Sequence, residues 1–180
     1  MSGSTRACMF ADHPVVQPPA SVEDVLAIQQ LKARYAWFAD SKYAGPRRHK
    51  PQAEVDRAAH AQASCFTADA VWYGGREFGA HITGRDALFQ FFRSGPWRFA
   101  LHYYVAPIIE VHGDTAIGRW RLWQLGIPRG ARQAVLFAAV TSERYRRVRG
   151  LWLHSVVRFE SFHFVRPVAG GGLYVVPTLA

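Results

Sequence analysis

Asp40, His102 and Tyr35 are the residues of this sequence whose types and settings could do acid–base chemistry. Asp40 ends the run Tyr35-Ala36-Trp37-Phe38-Ala39-Asp40, which reads as the close of an amphipathic helix. A helix C-terminus carries partial negative charge and favours cations, so a carboxylate there needs a reason. His102 lies in Leu101-His102-Tyr103-Tyr104-Val105, on a strand expected to be central, and shares a face with Tyr104. Each residue also has an ordinary explanation: an exposed carboxylate opening a loop, a satisfied strand histidine, a core aromatic. The pair is more informative than either member. A carboxylate bonded to one imidazole nitrogen fixes the tautomer and leaves the other nitrogen to take a proton from carbon beside an activating group. Tyr35 would add a hydroxyl donor. Five residues turn a helix by about 140°, so Tyr35 and Asp40 share a site only where the helix spans a cavity mouth or the chain bends at Asp40.

Other chemistries lack their signatures. There is no Gly-rich phosphate loop, no GxSxG elbow, no HExxH and no CxxC. Eight histidines are present, but no pair stands at metal-ligand spacing beside a carboxylate. We therefore expect no metal and no cofactor. Cys8 and Cys65 are the only cysteines and suggest neither a disulfide framework nor a thiolate site. The net charge of +9 is concentrated in Arg47-Arg48-His49-Lys50 and Arg144-Arg146-Arg147-Arg149. No recognition motif accompanies either cluster, so both read as solvated surface and no nucleic-acid partner is expected. No run approaches the roughly 20 apolar residues of a membrane span, and the first residues lack the apolar core of a secretory signal. A cytoplasmic protein with no membrane partner is the expectation.

The elements that must position these residues follow from periodicity. Residues 1–20 hold three prolines and no period, and read as an irregular tail. Ser21 with Asp24 resembles a capping box, after which Val25, Ile28, Leu31, Tyr35 and Phe38 recur at helical spacing to about Asp40. A basic loop through Gly45 and Pro46 leads to a second helix from Pro51 to about Phe66, and Ala87 to Phe92 form a short third helix. Between them, DAVWYGG and EFGAHITG suggest a small hairpin. Four long strands follow, at about 98–112, 115–127, 133–148 and 151–165, separated by short turns. Strands more than twice the usual length must coil around something. The fold class expected is α+β: a curved antiparallel sheet wrapped around one long helix and two shorter ones, spanning 21–166, with 167–180 as a C-terminal tail.

The runs AIQQLKARYAWFAD, CFTADAVWYGG, ITGRDALFQFF and LHYYVAPIIEVHGDTAIGRWRLW resemble, in that order, the SnoaL-like members of the nuclear transport factor 2-like superfamily. The resemblance covers about residues 22–165 and implies a cone-shaped α+β barrel with one deep pocket. Within the superfamily the pattern is most similar to cofactor-free lyases: bile-acid 7α-dehydratase, scytalone dehydratase and hexachlorocyclohexane dehydrochlorinase. It implies catalytic roles for Asp40 and His102, and for Tyr35 in the same site. It further implies that Trp72, Tyr104, Trp120, Leu122, Gln124, Phe137 and Ala139 bind substrate along a wide aromatic wall suited to a polycyclic or terpenoid-like ligand. The family's arginine on the last strand falls at about Val157, with Arg158 one residue off and facing away.

The expected function is therefore a cofactor-independent lyase or isomerase acting on a hydrophobic small molecule. A polyketide cyclase or an epoxide hydrolase of the same fold is the alternative within enzymes. Outside them stands a ligand-binding module or a subunit resembling the small subunit of a ring-hydroxylating dioxygenase. The long exposed sheet suggests a homodimer or homotrimer.

Overall fold

The computed structural model describes residues 21–46, 48–75, 79, 81–167 and 173–176. The expected N-terminal tail lies outside them, as does most of the C-terminal one. Helix α1 runs Val22–Asp40 and starts where the capping box predicts, with the Ser21 hydroxyl accepting from the Asp24 N–H at 3.4 Å. The Asp24 carboxylate then accepts from Arg147 at 2.7 Å and from the Trp152 indole at 2.9 Å, which pins the start of α1 to the sheet.

The basic loop after α1 is more ordered than its composition suggests. Tyr43–Gly45 (β1) and Arg48–His49 (β2) form a small antiparallel pair. Its Tyr43 ring packs edge-on against His49 and Phe99, holding the pair against the main sheet. Helix α2 is Gln52–Ser64 and is followed by strand β3, Phe66–Tyr73, and the two-residue β4, Ile82–Thr83. Helix α3 is Arg85–Ser94. Then come the four long strands: β5 (Trp97–His112), β6 (Thr115–Pro128), β7 (Val135–Val148) and β8 (Leu151–Pro167). Residues Leu173–Val176, expected in a tail, add β9 against the end of β8.

The main sheet runs β4-β3-β8-β7-β6-β5, with β9 paired to β8. It is mixed rather than wholly antiparallel, because β3 runs parallel to β8. That pairing joins segments about ninety residues apart in sequence, so no local turn signal announces it. Among the described residues the sheet does not close, and β4 and β5 are its ends. Curvature comes from bulges, at Val105/Ile108 in β5 and at Val140/Thr141 and Arg144/Tyr145 in the β7–β8 pair. An extra residue on one strand bends it and increases twist. At the first bulge Ala106 takes a φ of 49°, a left-handed backbone that only a local irregularity imposes on alanine. The tight turn after β7 uses Arg149 and Gly150, both at positive φ, as a two-residue hairpin requires.

Alternation along β6 shows the two faces. Trp120, Leu122 and Gln124 are buried against the helices, whereas Arg121, Trp123 and Leu125 are exposed. The core under α1 gathers Ile28, Leu31, Tyr35, Phe66, Trp72, Leu88, Phe92 and Trp152. No helix among the described residues is long and apolar enough to cross a membrane.

Candidate active site

Helix α1 packs across β5, and its last residue is the one that reaches the strand. The Ser41 hydroxyl donates to the Trp37 carbonyl at 2.6 Å and closes the helix there. The Asp40 carboxylate then meets His102 twice: Oδ1 lies 2.6 Å from the ring Nδ1, and Oδ2 accepts from the His102 backbone N–H at 3.1 Å. Both donors offset the unfavourable placement of a carboxylate at a helix C-terminus. The side chains are 13% and 23% exposed for His102 and Asp40, so the pair is mostly withdrawn from solvent. Facing a carboxylate, Nδ1 carries the proton and Nε2 is left with its lone pair. The ring stands nearly parallel to that of Tyr104, two residues on along the same face.

Two spaces flank this dyad. The inner one is a cavity of about 60 Å³ whose lining includes Tyr35, Lys42, Gln62, Trp72, Phe92, His102, Tyr104 and Gln124. The outer one is a groove of about 620 Å³ between α1 and β5, lined among others by Trp37, Asp40, His102, Tyr103 and Val105. His102 borders both. Tyr35 borders only the inner cavity and Asp40 only the outer groove, which is how residues 140° apart on one helix serve a single imidazole. Burial, with the Glu143 charge behind it, raises the Tyr35 pKa, so its hydroxyl stays a neutral donor. Gln62, Trp72 and Tyr104 line the same cavity beside it.

The expected substrate wall divides. Trp72, Tyr104 and Gln124 line the inner cavity. Trp120, Leu122 and Ala139 line a different groove of about 400 Å³ toward Arg121 and His163. Phe137 is fully buried against Phe162, Phe164 and Phe159. These rings pack on one another across β7 and β8. A water needs roughly 10–15 Å³ on the same measure, so 60 Å³ admits a few atoms and not the polycyclic ligand the family resemblance suggested. Arg158 is exposed, its guanidinium 3.9 Å from the centre of the Tyr73 ring, and it contributes nothing to the cavity, while Val157 in the family's arginine position is buried. Of the strand acids, Glu160 pairs with Arg119 and neither it nor Glu110 lines the cavity, so the carboxylate pair of an epoxide hydrolase is not assembled.

Sequence reasoning missed two features. Lys42, which the sequence shows only as one charge of the basic loop after α1, is buried; its ammonium donates to Gln62 Oε1 and to the Phe92 carbonyl, each at 3.0 Å. It stands in a loop, where no periodicity marks the inside. The second feature is a buried cluster around Glu143. That carboxylate takes Lys32 at 2.5 Å, Thr141 at 2.8 Å and Tyr145 at 2.6 Å, with His154 Nδ1 at 3.2 Å. Trp120 donates in turn to Tyr145 at 2.8 Å. Burial alone would raise the Glu143 pKa, but the Lys32 charge and the neighbouring His154 ring outweigh it and hold the carboxyl well below its ordinary range. The signals were present. Lys32 falls four residues after Ile28 on the helix's apolar stripe, and Glu143 has the strand parity of Phe137, Ala139 and Thr141.

A SnoaL-like domain model matches residues 53–158, more than half of the sequence. The chain belongs to the SnoaL-like domain family. Its match spans α2 through the core of the sheet and includes His102, while α1 with Tyr35 and Asp40 lies before it. No curated protein sequence matches this SnoaL-like chain. Solved structures share its fold: a candidate aromatic ring hydroxylase from Novosphingobium aromaticivorans is 22% identical, with a TM-score of 0.64 over 88% of this chain and 96% of that one. The hexachlorocyclohexane dehydrochlorinase of type 3 from Novosphingobium barchaimii is 24% identical, with 0.62 over 86% and 96%. A candidate scytalone dehydratase from Novosphingobium aromaticivorans is 16% identical, with 0.61 over 78% and 86%. At these identities the likeness is one of fold, that of the nuclear transport factor 2-like cone.

Proposed function

We propose that this SnoaL-like protein is a cofactor-independent lyase or isomerase in which His102 abstracts a carbon-bound proton inside the inner cavity. The observation that carries this reading is the bidentate hold of Asp40 on His102, through the ring Nδ1 and the backbone N–H together. A ligand-binding module has no need to fix a tautomer and aim a lone pair. Here Nε2 is the base, Asp40 orients it and stabilises the imidazolium, and Tyr35 donates to an oxygen that gains charge or leaves. The dehydrochlorinase and the candidate scytalone dehydratase among the structural neighbours are named for eliminations, which support the same reaction class. Small cavity volume favours a compact hydrophobic substrate over a polycyclic one.

The test is exchange with solvent. In D₂O the protein is expected to catalyse deuterium incorporation into members of a panel of compact carbon acids, such as cyclic ketones, β-hydroxy ketones and nitroalkanes, read by mass spectrometry. Exchange that persists undiminished in His102→Ala would rule this base out.

Self-association belongs to the same reading. The outer face of β5 and β6 exposes Tyr103, Val105, Ile108, Trp123 and Leu125, and a second copy of the chain is the proposed cover. Light scattering is expected to give a dimer or trimer, and Trp123→Glu is expected to shift it toward monomer.

A further inference from the structure

Lys42 is a buried cation with no carboxylate in direct contact among the described residues, which is costly unless something in the site uses it. Two of its three N–H donors go to Gln62 and Phe92, holding α2 against the end of α3. Among the described residues, no carboxylate lies within ion-pair distance of the third donor, and the ammonium borders the inner cavity. Burial lowers its pKa to about 8, with the Asp40 charge pulling part of the way back, so at neutral pH it remains mostly a cation. Across the same cavity stands Gln124, 2% exposed, whose side-chain amide nitrogen has no hydrogen-bond partner among the described residues. Gln124 pairs in register with His102 on the neighbouring strand, which places its amide beside the dyad. Two buried donors therefore border a small cavity in which His102 is the one evident base among the described lining residues.

We propose that Lys42 and Gln124 form an oxyanion site, and that the substrate is a small carbonyl compound with an enolisable C–H. This rests on the assignment of His102 as the base. When His102 Nε2 takes the α-proton, the C–H electron pair moves into the C–C bond and the carbonyl π pair onto oxygen, giving an enolate held by the Lys42 ammonium and the Gln124 amide. Where the substrate carries a β,γ double bond the anion is a dienolate, and return of the proton to its γ-carbon, with the double bond moving into conjugation and the carbonyl re-forming, completes an isomerisation. Alternatively a β-hydroxyl leaves as water, taking the imidazolium proton. No oxidant or reductant enters. Lys42 thus supplies the cation that Arg158 on β8 does not, since that guanidinium lies on the Tyr73 ring.

The experiment uses acetate, a planar oxyanion of four heavy atoms that mimics a small enolate, with acetone as its neutral counterpart of equal size, each titrated by NMR. Wild-type protein is expected to bind acetate more tightly than acetone. Lys42→Met, which keeps the apolar stem, should weaken acetate binding by roughly 10- to 100-fold. Gln124→Leu should weaken it by roughly 2- to 10-fold. Acetone binding should change by less than about twofold in both variants, within the spread of such measurements. His102→Ala should retain acetate binding while losing proton exchange, so the oxyanion site and the base can fail separately. Acetate bound no more tightly than acetone, or acetate affinity unchanged in a folded Lys42→Met protein, would overturn the proposal. Should Lys42→Met fail to fold, Gln124→Leu alone decides: unchanged acetate affinity there overturns it equally.

Discussion

Replacing His102 with alanine is expected to lower turnover on any confirmed substrate by about 10²- to 10⁴-fold, the usual share of a positioned acid–base group, while thermal unfolding stays close to wild type. The ring is part of no core cluster; its side chain meets Asp40, Tyr104 and the two spaces beside α1, so its loss removes a proton acceptor more than a packing unit. Asp40→Asn should cost nearly as much. An asparagine can still accept from the backbone N–H of His102, but its amide no longer selects the tautomer with Nε2 bare. Because the two residues act as a unit, the double variant should be scarcely worse than either single one. Steady-state kinetics on the four proteins check this. Multiplying losses would show that Asp40 and His102 act independently, and the dyad would then be structural.

The second large effect concerns stability. Glu143→Gln should destabilise the fold by about 3–5 kcal/mol, because it leaves Lys32 charged and unpaired in the interior. In a domain of this size that is a fall in melting temperature of roughly 6–20 °C. Replacing both partners, as Lys32→Met with Glu143→Leu, should recover much of the loss, although Thr141 and Tyr145 would then lack their acceptor. The same cluster predicts a pH dependence. The His154 pKa is lowered by burial, and the Glu143 carboxyl is held low by its partners, so in both cases the unfolded chain binds protons that the folded chain does not. Stability contributed by these groups is complete above the ordinary histidine pKa of about 6.5 and declines as pH falls below it. Glu143 adds to the decline below about 4.5. Urea midpoints measured between pH 8 and 3 test this: the decline below pH 6.5 should persist in the double variant, which keeps His154, and the further decline below about 4.5 should be reduced.

Much of this fold was legible because its strongest signals are local. Ser21 with Asp24 marked the start of α1, and the turns at Gly113, Arg129-Gly130 and Arg149-Gly150 marked the long strands to within two residues. Asp40 and His102 could be paired because each was anomalous for its position. What stayed hidden depends on contacts distant in sequence. The parallel seam of β3 with β8 leaves no mark on either strand. The stacking of Phe137, Phe159, Phe162 and Phe164 joins β7 to β8, and composition gave no hint of it. Lys42 looked like one more charge in a basic loop, yet the turn after Asp40 carries it inside. A lone lysine two residues beyond a helix end has no pattern to betray burial.

His102 borders an inner cavity of about 60 Å³ and an outer groove of about 620 Å³, and the account places the chemistry in the smaller space. A crystal structure of the complex with a slow substrate or inert analogue decides between them. The predicted result is a ligand in the inner cavity, its reacting carbon within about 3–3.5 Å of His102 Nε2. A ligand seated only in the groove between α1 and β5, with no carbon in reach of Nε2, would contradict it.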